Sequence, residues 1–364
     1  MDHRHYVPIL KWKLGEYQAL MRLSPAAKDA LTPLIEIPPI SYDHETQQNA
    51  KSIDEHLLSF GKRLKDKWQS RPCFIDLTLL NGEGPMAGGG HPLTYIFDQA
   101  RANGCGAIPV VRLSSNTAYR AAVAGAVAVD RRGLCLRLTA SDFDRANLAG
   151  DVADLLTALR VGAPDVDLVL DMESAPHRQV VPVFSVTMVT FINQIPLLAR
   201  WRSFVIAGTA YPESVSHIRP PFELVPRTEW AVYKAVTAML PATVRLPTFG
   251  DYTVSYPVLP GIDMRMVDPI AKLRYTTESH WYVGRGAQVK ANGFEQYRGM
   301  CATLVAQPFF MGAGFSDGDR IIDECAAGTG STGNLTVWSS VATNHHLTQV
   351  VGDLANFHAI SAAA

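Results

Sequence analysis

Residues 73–113 read CFIDLTLLNGEGPMAGGGHPLTYIFDQARANGCGAIPVVRL. An apolar run (CFIDLTL, 73–79) gives way to a Gly-rich stretch, then to LTYIFDQARANG with apolar residues at helical spacing, then to a second apolar run (AIPVVRL, 107–113). Strand, connection, helix, strand is the repeating unit of a parallel sheet, because parallel neighbours need a crossover and a helix is the usual one.

The same alternation extends in both directions. VPILKWK (7–13) and PLIEI (33–37) precede the pair, and LCLRLT (134–139), DLVLDME (167–173), SFVIAGT (203–209) and RLPTFGDY (245–252) follow it. Between them lie helix-like stretches such as EYQALMRLSPAAKDAL, SDFDRANLAGDVADLLTALRVG and TEWAVYKAVTAML. Eight units predict an α/β fold, a (β/α)8 TIM-like barrel with a C-terminal elaboration. An open doubly wound sheet would need a Gly-rich phosphate loop after the first strand, and KLGEY is no such loop. The barrel is expected over residues 1–260. Residues 261–364, a hairpin plus helices, are expected to pack over one mouth within the same domain.

Bulk composition narrows the function classes. Apolar residues make up 47% and charged residues 18% of 364, the balance of a folded chain with a large interior. A net charge of −1 supplies no global field toward nucleic acid or anionic lipid, so any polyanion site must be local. Five cysteines without a CxxC pair suggest neither a disulfide framework nor a zinc site. MDHRHYVPILKWK lacks a signal-peptide h-region and no window reaches a membrane-spanning length, so a cytoplasmic protein with no membrane partner is expected.

Barrel active sites sit at the carboxyl ends of the strands, and here those ends are charged. They carry Lys11 and Lys13, Glu36, Asp76, Arg112, Arg137, Asp171 and Glu173, and Asp251; only the seventh run ends neutral. Strand side chains alternate faces, so Lys11 and Lys13 are expected to share one face, and Asp171 and Glu173 another. Facing a ligand, Glu36, Asp76 and Asp171 suit a hard cation such as Mg²⁺ or Mn²⁺. The basic side chains suit phosphate oxygens, with Lys11 and Lys13 in catalytic positions and Arg112, Arg137 and Asp251 binding substrate. A buried network of mutually satisfied ion pairs would leave the same pattern without any chemistry.

Beyond the strand ends, Arg274 and Arg285 lie among Tyr275, Trp281 and Tyr282 on an expected hairpin, where they either stack on the protein or offer a platform to a nucleobase. His345 and His346 are expected to open the last helix. Adjacent residues do not share a helix face, which argues against a two-His metal site and leaves His345 as a catalytic candidate at the mouth. The Gly-rich loops at 82–91 and 326–334 lack a P-loop ending, and the first is placed to act as a lid.

YVPILKWKLGEYQAL, LTPLIEIP, KLRYTTESHWYVGRG, GFSDGD and TGNLTVWSSVATNHHLTQVV together resemble the Beta protein family of phages and bacteria over nearly the whole chain. Its motif pieces fall on Lys11, Lys13, Gly15, Glu16, Pro33, Glu36, Arg285, Gly286, Ser316, Gly318, Asp319, Asn344, His345 and His346. Ser339 stands where the family pattern has a basic residue after its tryptophan. The resemblance implies one full-length unit and, by association, a part in phage defence or counter-defence. Two functions are carried forward: a metal-assisted hydrolase or phosphodiesterase acting on a nucleotide or nucleic-acid phosphate, and a non-catalytic barrel that binds a protein or an anion.

Overall fold

The computed structural model describes residues 1–43, 45–80, 82–175, 180–258 and 268–363. Eight parallel strands close into a barrel: β1 (Tyr6–Lys11), β2 (Leu34–Glu36), β3 (Pro72–Asp76), β4 (Gly106–Val111), β5 (Leu134–Thr139), β6 (Val166–Ser174), β7 (Ser203–Thr209) and β8 (Thr248–Asp251). Each pairs with its neighbour in sequence, and β8 returns to β1 with Val7 opposite Gly250. All eight expected runs are strands, with ends shifted by a few residues.

Alternation along these strands sorts the interior. Val7, Ile9, Leu34, Phe74, Ile108, Val110, Cys135, Val169, Val205 and Ala207 form one apolar cluster inside the barrel, topped by Tyr252. Two residues further along β1, β2, β3, β5 and β6, the same inward positions are Lys11, Glu36, Asp76, Arg137 and Asp171. The interior is therefore apolar below and charged above. Outward residues of the strands form a second, larger cluster with the surrounding helices.

The C-terminal elaboration differs from expectation in two ways. First, the hairpin Ile270–Thr276 and His280–Gln288 recruits a third strand, Phe222–Pro226, from the connection between β7 and β8, so the extra structure is not confined to residues after 260. The boundary at residue 260 itself lies outside the described residues. Trp281 and Val283 of this outer sheet pack on Tyr211, Val215, Ile218 and Val254, from the connections after β7 and β8. Its other face carries helices Gln296–Val305 and Asp317–Ala326 on a small core of Leu273, Tyr275, Tyr297, Cys301, Ile322 and Trp338.

Second, the last helix, Leu335–Ala363, covers no mouth. It packs on the flank of the barrel against β1 and the helix Leu14–Met21. On its other side Asp353 takes Arg227, Phe357 meets Trp230 edge-on, and His358 meets the Tyr233 hydroxyl at 3.0 Å, all at or on the helix Thr228–Met239. That slot lies between the helices following β7 and β1, so the last helix completes the ring of helices. Residues 340–347 are buried on every side, because outer sheet and barrel grip the helix from opposite faces.

All five cysteines are buried and unpaired. Among the described residues no helix is long and apolar enough to cross a membrane.

Candidate functional site

Arg137 of β5 is the centre of the charged layer. Its Nε and Nη2 donate to Asp171 Oδ2 at 2.9 and 2.6 Å, Nη1 donates to Glu36 Oε1 at 2.9 Å and Asp76 Oδ2 at 2.7 Å, and Nη2 also reaches the Tyr252 hydroxyl at 2.6 Å. Tyr252 in turn donates to Asp171 at 2.6 Å. A guanidinium has five N–H bonds, and here each has an acceptor. Arg137, Asp76 and Asp171 are essentially inaccessible to solvent. Lys11 completes the layer, 3.4 Å from Glu36 Oε2 and 3.2 Å from the Tyr256 carbonyl.

Burial alone would raise the Asp76 carboxyl, but Arg112, Arg137 and the Thr78 hydrogen bonds outweigh it and hold it at about 2. Lys11, Arg112 and Arg137 balance Glu36, Asp76 and Asp171, which is what allows this many charges to sit out of water together. Tyr252 stays protonated because burial pushes its phenol well above the ordinary value, despite Arg137 beside it.

Glu36, Asp76 and Asp171 were the expected cation ligands. They converge, but on the Arg137 guanidinium, which occupies the position a metal ion would need. Among the described residues no group of three or more His, Cys, Asp or Glu side chains is arranged to hold a metal ion.

Two expected pairings fail. β1 ends at Lys11, and Lys13 lies beyond it at the start of the helix Leu14–Met21 with its side chain exposed, so the two lysines do not share a face. A bulge in β6 between Asp171 and Ser174 puts Glu173 at a φ of 55° and leaves it exposed at the rim while Asp171 is buried; partial burial of its carboxyl and the nearby Asp171 carboxylate raise its pKa. The backbone N–H of Glu173 caps Asp171 Oδ1 instead, at 2.8 Å.

Arg112 stands at the rim. Its side chain keeps 18% of its exposure, Nη2 makes one long contact of 3.3 Å with Asp76, and Nε is buried with no hydrogen-bond partner among the described residues. It faces a cavity of about 230 Å³ lined also by Ser114, Thr139, Ser141, Asp142, Asp144 and Arg145. Arg145 is committed to Asp142 and Asp151 at 3.0 and 2.9 Å, which leaves Arg112 as the under-used cation of that cavity.

Sequence reasoning did not place two residues in this layer, Tyr252 and Glu16, although Glu16 was one of the family's motif positions. Tyr252 is the inward residue of the β8 end, and the charge-by-charge reading passed over it for Asp251. Glu16 is buried and accepts the Lys11 backbone N–H at 2.6 Å; burial, offset in part by Lys11, pushes its carboxyl up to about 7. Its signal was present, an acid four residues into KLGEY after a lysine-rich strand end.

Asp251, His345 and Arg285 lie elsewhere. Asp251 points outward, where its carboxylate accepts from the Tyr6 hydroxyl, the Thr253 N–H and His346 Nε2 at 2.5, 2.8 and 2.9 Å. His345 and His346 sit mid-helix, not at its start. His345 stacks on Tyr275 at 3.8 Å, with Nδ1 2.8 Å from Asp319 and Nε2 2.8 Å from the Thr276 carbonyl. His346 bonds the Thr276 hydroxyl at 2.9 Å, and burial lowers its pKa despite Asp251.

This seam also explains two glycines. A Cβ at Gly318 would lie 2.5 Å from the Val341 carbonyl, and one at Gly15 would lie 2.9 Å from Ser339 Cβ, so the last helix needs both positions bare. Arg285 ties the outer sheet to the loop after β7 through the Ser216 and Ile218 carbonyls. The aromatic side chains near it are used in packing: Tyr282 stacks on Phe222, and Trp281 meets Tyr211 edge-on.

Among curated proteins none matches the chain. Of solved structures, the crystal structure of triosephosphate isomerase from Bartonella henselae is similar with a TM-score of 0.35 and 9% identity, over 67% of this chain and 90% of that one. The family model described as Beta protein matches residues 6–352. Spanning β1, the rest of the barrel, the outer sheet and most of the last helix, that match shows that the protein belongs to the Beta protein family.

Proposed function

We propose that the rim of the barrel mouth binds a small phosphate-bearing molecule, with Arg112 as its anion contact. The observation that carries this reading is the contrast between two arginines: every N–H of Arg137 is used within the protein, whereas Arg112 is part-exposed beside a cavity and, among the described residues, leaves its Nε without an acceptor. The Arg112 guanidinium keeps part of its exposure and makes one long ion pair, so a ligand oxygen can reach it from the cavity. Ser114 and Ser141 line the same cavity and offer hydroxyl donors. A volume near 230 Å³ suits a single phosphoryl group with a small substituent better than a polymer.

Hydrolysis of that ligand is the second reading, supported by Glu16, whose carboxyl at about 7 is in the range where a general acid or base works. Mg²⁺ or Mn²⁺ at Glu36, Asp76 and Asp171 would have to displace Arg137, so the binding reading includes no metal. Action through a partner protein in phage defence or counter-defence is a separate proposal that rests on the family alone. It would be dropped if host cells with and without the protein gave equal plaque counts.

Thermal shift with inorganic phosphate and with nucleoside monophosphates, each with and without Mg²⁺, tests the binding reading. Stabilisation by at least one of them in the wild type, lost in Arg112→Ala, is the expected result, since a ligand of the folded state must raise its stability. No shift with any of them, or the same shift in Arg112→Ala, would overturn it.

A further inference from the structure

The opposite end of the barrel holds a second candidate site, independent of the mouth. Helices Thr117–Asp130 and Leu148–Leu159 are neighbours, and each runs antiparallel to the strands, so both end at the amino face of the barrel. Each ends on an arginine in the left-handed region, Arg131 at φ 52° and Arg160 at φ 54°. Glycine is the usual residue there, because a side chain in this conformation crowds the following carbonyl. Two adjacent helices thus carry strained arginines where the backbone favours glycine.

Among the described residues neither arginine makes a side-chain hydrogen bond or ion pair that would reward that strain. Both are exposed, and both line a groove of about 600 Å³ whose walls include Ala124, Gly125, Ala128, Ala158 and Val161. At Gly125 an added Cβ would meet open space, so its small size is not forced by packing. Arg132 adjoins the groove with its side chain exposed, and Asp165 is the acid that lines it.

We propose that this groove docks an acidic segment of another protein, with apolar side chains seated between the two helices and carboxylates on Arg131 and Arg160. Small walls between cationic ends fit a peptide with alternating apolar and acidic residues. Nucleic acid fits less well: affinity for it comes from rows of cations along the backbone, and base stacking needs aromatic side chains, which the lining lacks.

The test uses the intact protein and a short fluorescent peptide of alternating glutamate and leucine, followed by anisotropy, with oligodeoxythymidine as the comparison probe. The peptide is expected to bind the wild type in a salt-sensitive way and to lose at least about tenfold in affinity in R131G/R160G, as removal of interface charge pairs predicts. The same variant should melt no lower than the wild type, because glycine relieves the left-handed strain. Equal peptide binding by both proteins, or none by either, would overturn the proposal. So would a lower melting temperature in R131G/R160G, which would make the arginines structural. Tighter binding of oligodeoxythymidine, or wild-type self-association in sedimentation velocity abolished by the variant, would assign the groove to nucleic acid or to a second copy instead.

Discussion

Asp251 and Tyr252 are consecutive in sequence and serve two different buried polar networks. Tyr252 points into the barrel and joins Arg137 and Asp171; Asp251 points out and joins Tyr6 and His346 in the seam beneath the last helix. The inner network is a balanced set of full charges around one guanidinium, with an opening to solvent at Arg112. The outer one mixes hydroxyls, histidines and carboxylates, and Asp251, Asp319, His345 and His346 are sealed from water. Closure suits a joint that only has to hold, whereas an opening beside an unsatisfied donor suits a site that exchanges a ligand.

The sharpest way to break this comparison is Arg137→Ala. It leaves three buried carboxylates without their shared cation, and a loss of about 3–5 kcal/mol in urea denaturation is expected. A loss below about 1 kcal/mol would mean that the inner network does not act as a unit.

Next in size is Glu16→Gln, which acts through pH. The folded state holds the Glu16 proton up to about 7, whereas an ordinary glutamate releases it near 4.5. Between those values the folded state binds more protons than the unfolded chain, so the contribution of Glu16 is full below 4.5 and is lost as pH rises through about 7. Glutamine removes that loss while still accepting the Lys11 N–H. At pH 8 the variant should be the more stable protein by about 3 kcal/mol, with little difference at pH 4.5. Parallel stability profiles for the two proteins would contradict this.

In the seam, Asp319→Ala strands His345 Nδ1 and removes the acceptor of the Tyr275 hydroxyl, for an expected loss of about 2 kcal/mol. Phosphate binding should be unchanged, which separates seam from mouth. The smallest effect belongs to Arg112→Ala. Its partner Asp76 keeps Arg137, so stability should fall by less than about 1 kcal/mol. A loss as large as that of Arg137→Ala would place Arg112 inside the structural network and remove the distinction between the two arginines.

The barrel was legible because each strand advertises itself by a short apolar run and each run is followed by a helix signal. Inward charge was legible too at the ends of β1, β2, β3, β5 and β6. It failed at β8, where adjacent Asp251 and Tyr252 both suit a polar end and a shift of one position exchanges them. It failed at Lys13 because the strand turns into a helix before reaching it, and at Glu173 because a bulge inserts an uncounted residue. His345 was misassigned because a helix buried on every side has no amphipathic signature, so its polar residues look available when they are sealed. What Glu16 does depends on burial, which no local pattern encodes.

The last helix has a consequence in time. During synthesis β1 and the helix Leu14–Met21 emerge first, yet the partner that covers them, residues 335–363, comes well after β8 has formed. Until then Tyr6, Leu20 and Asp251 face outward on an unfinished flank. A chain lacking the last helix would leave an apolar stripe open on that flank, and aggregation of such a truncated product is the expected outcome, checked by its solubility against the full chain.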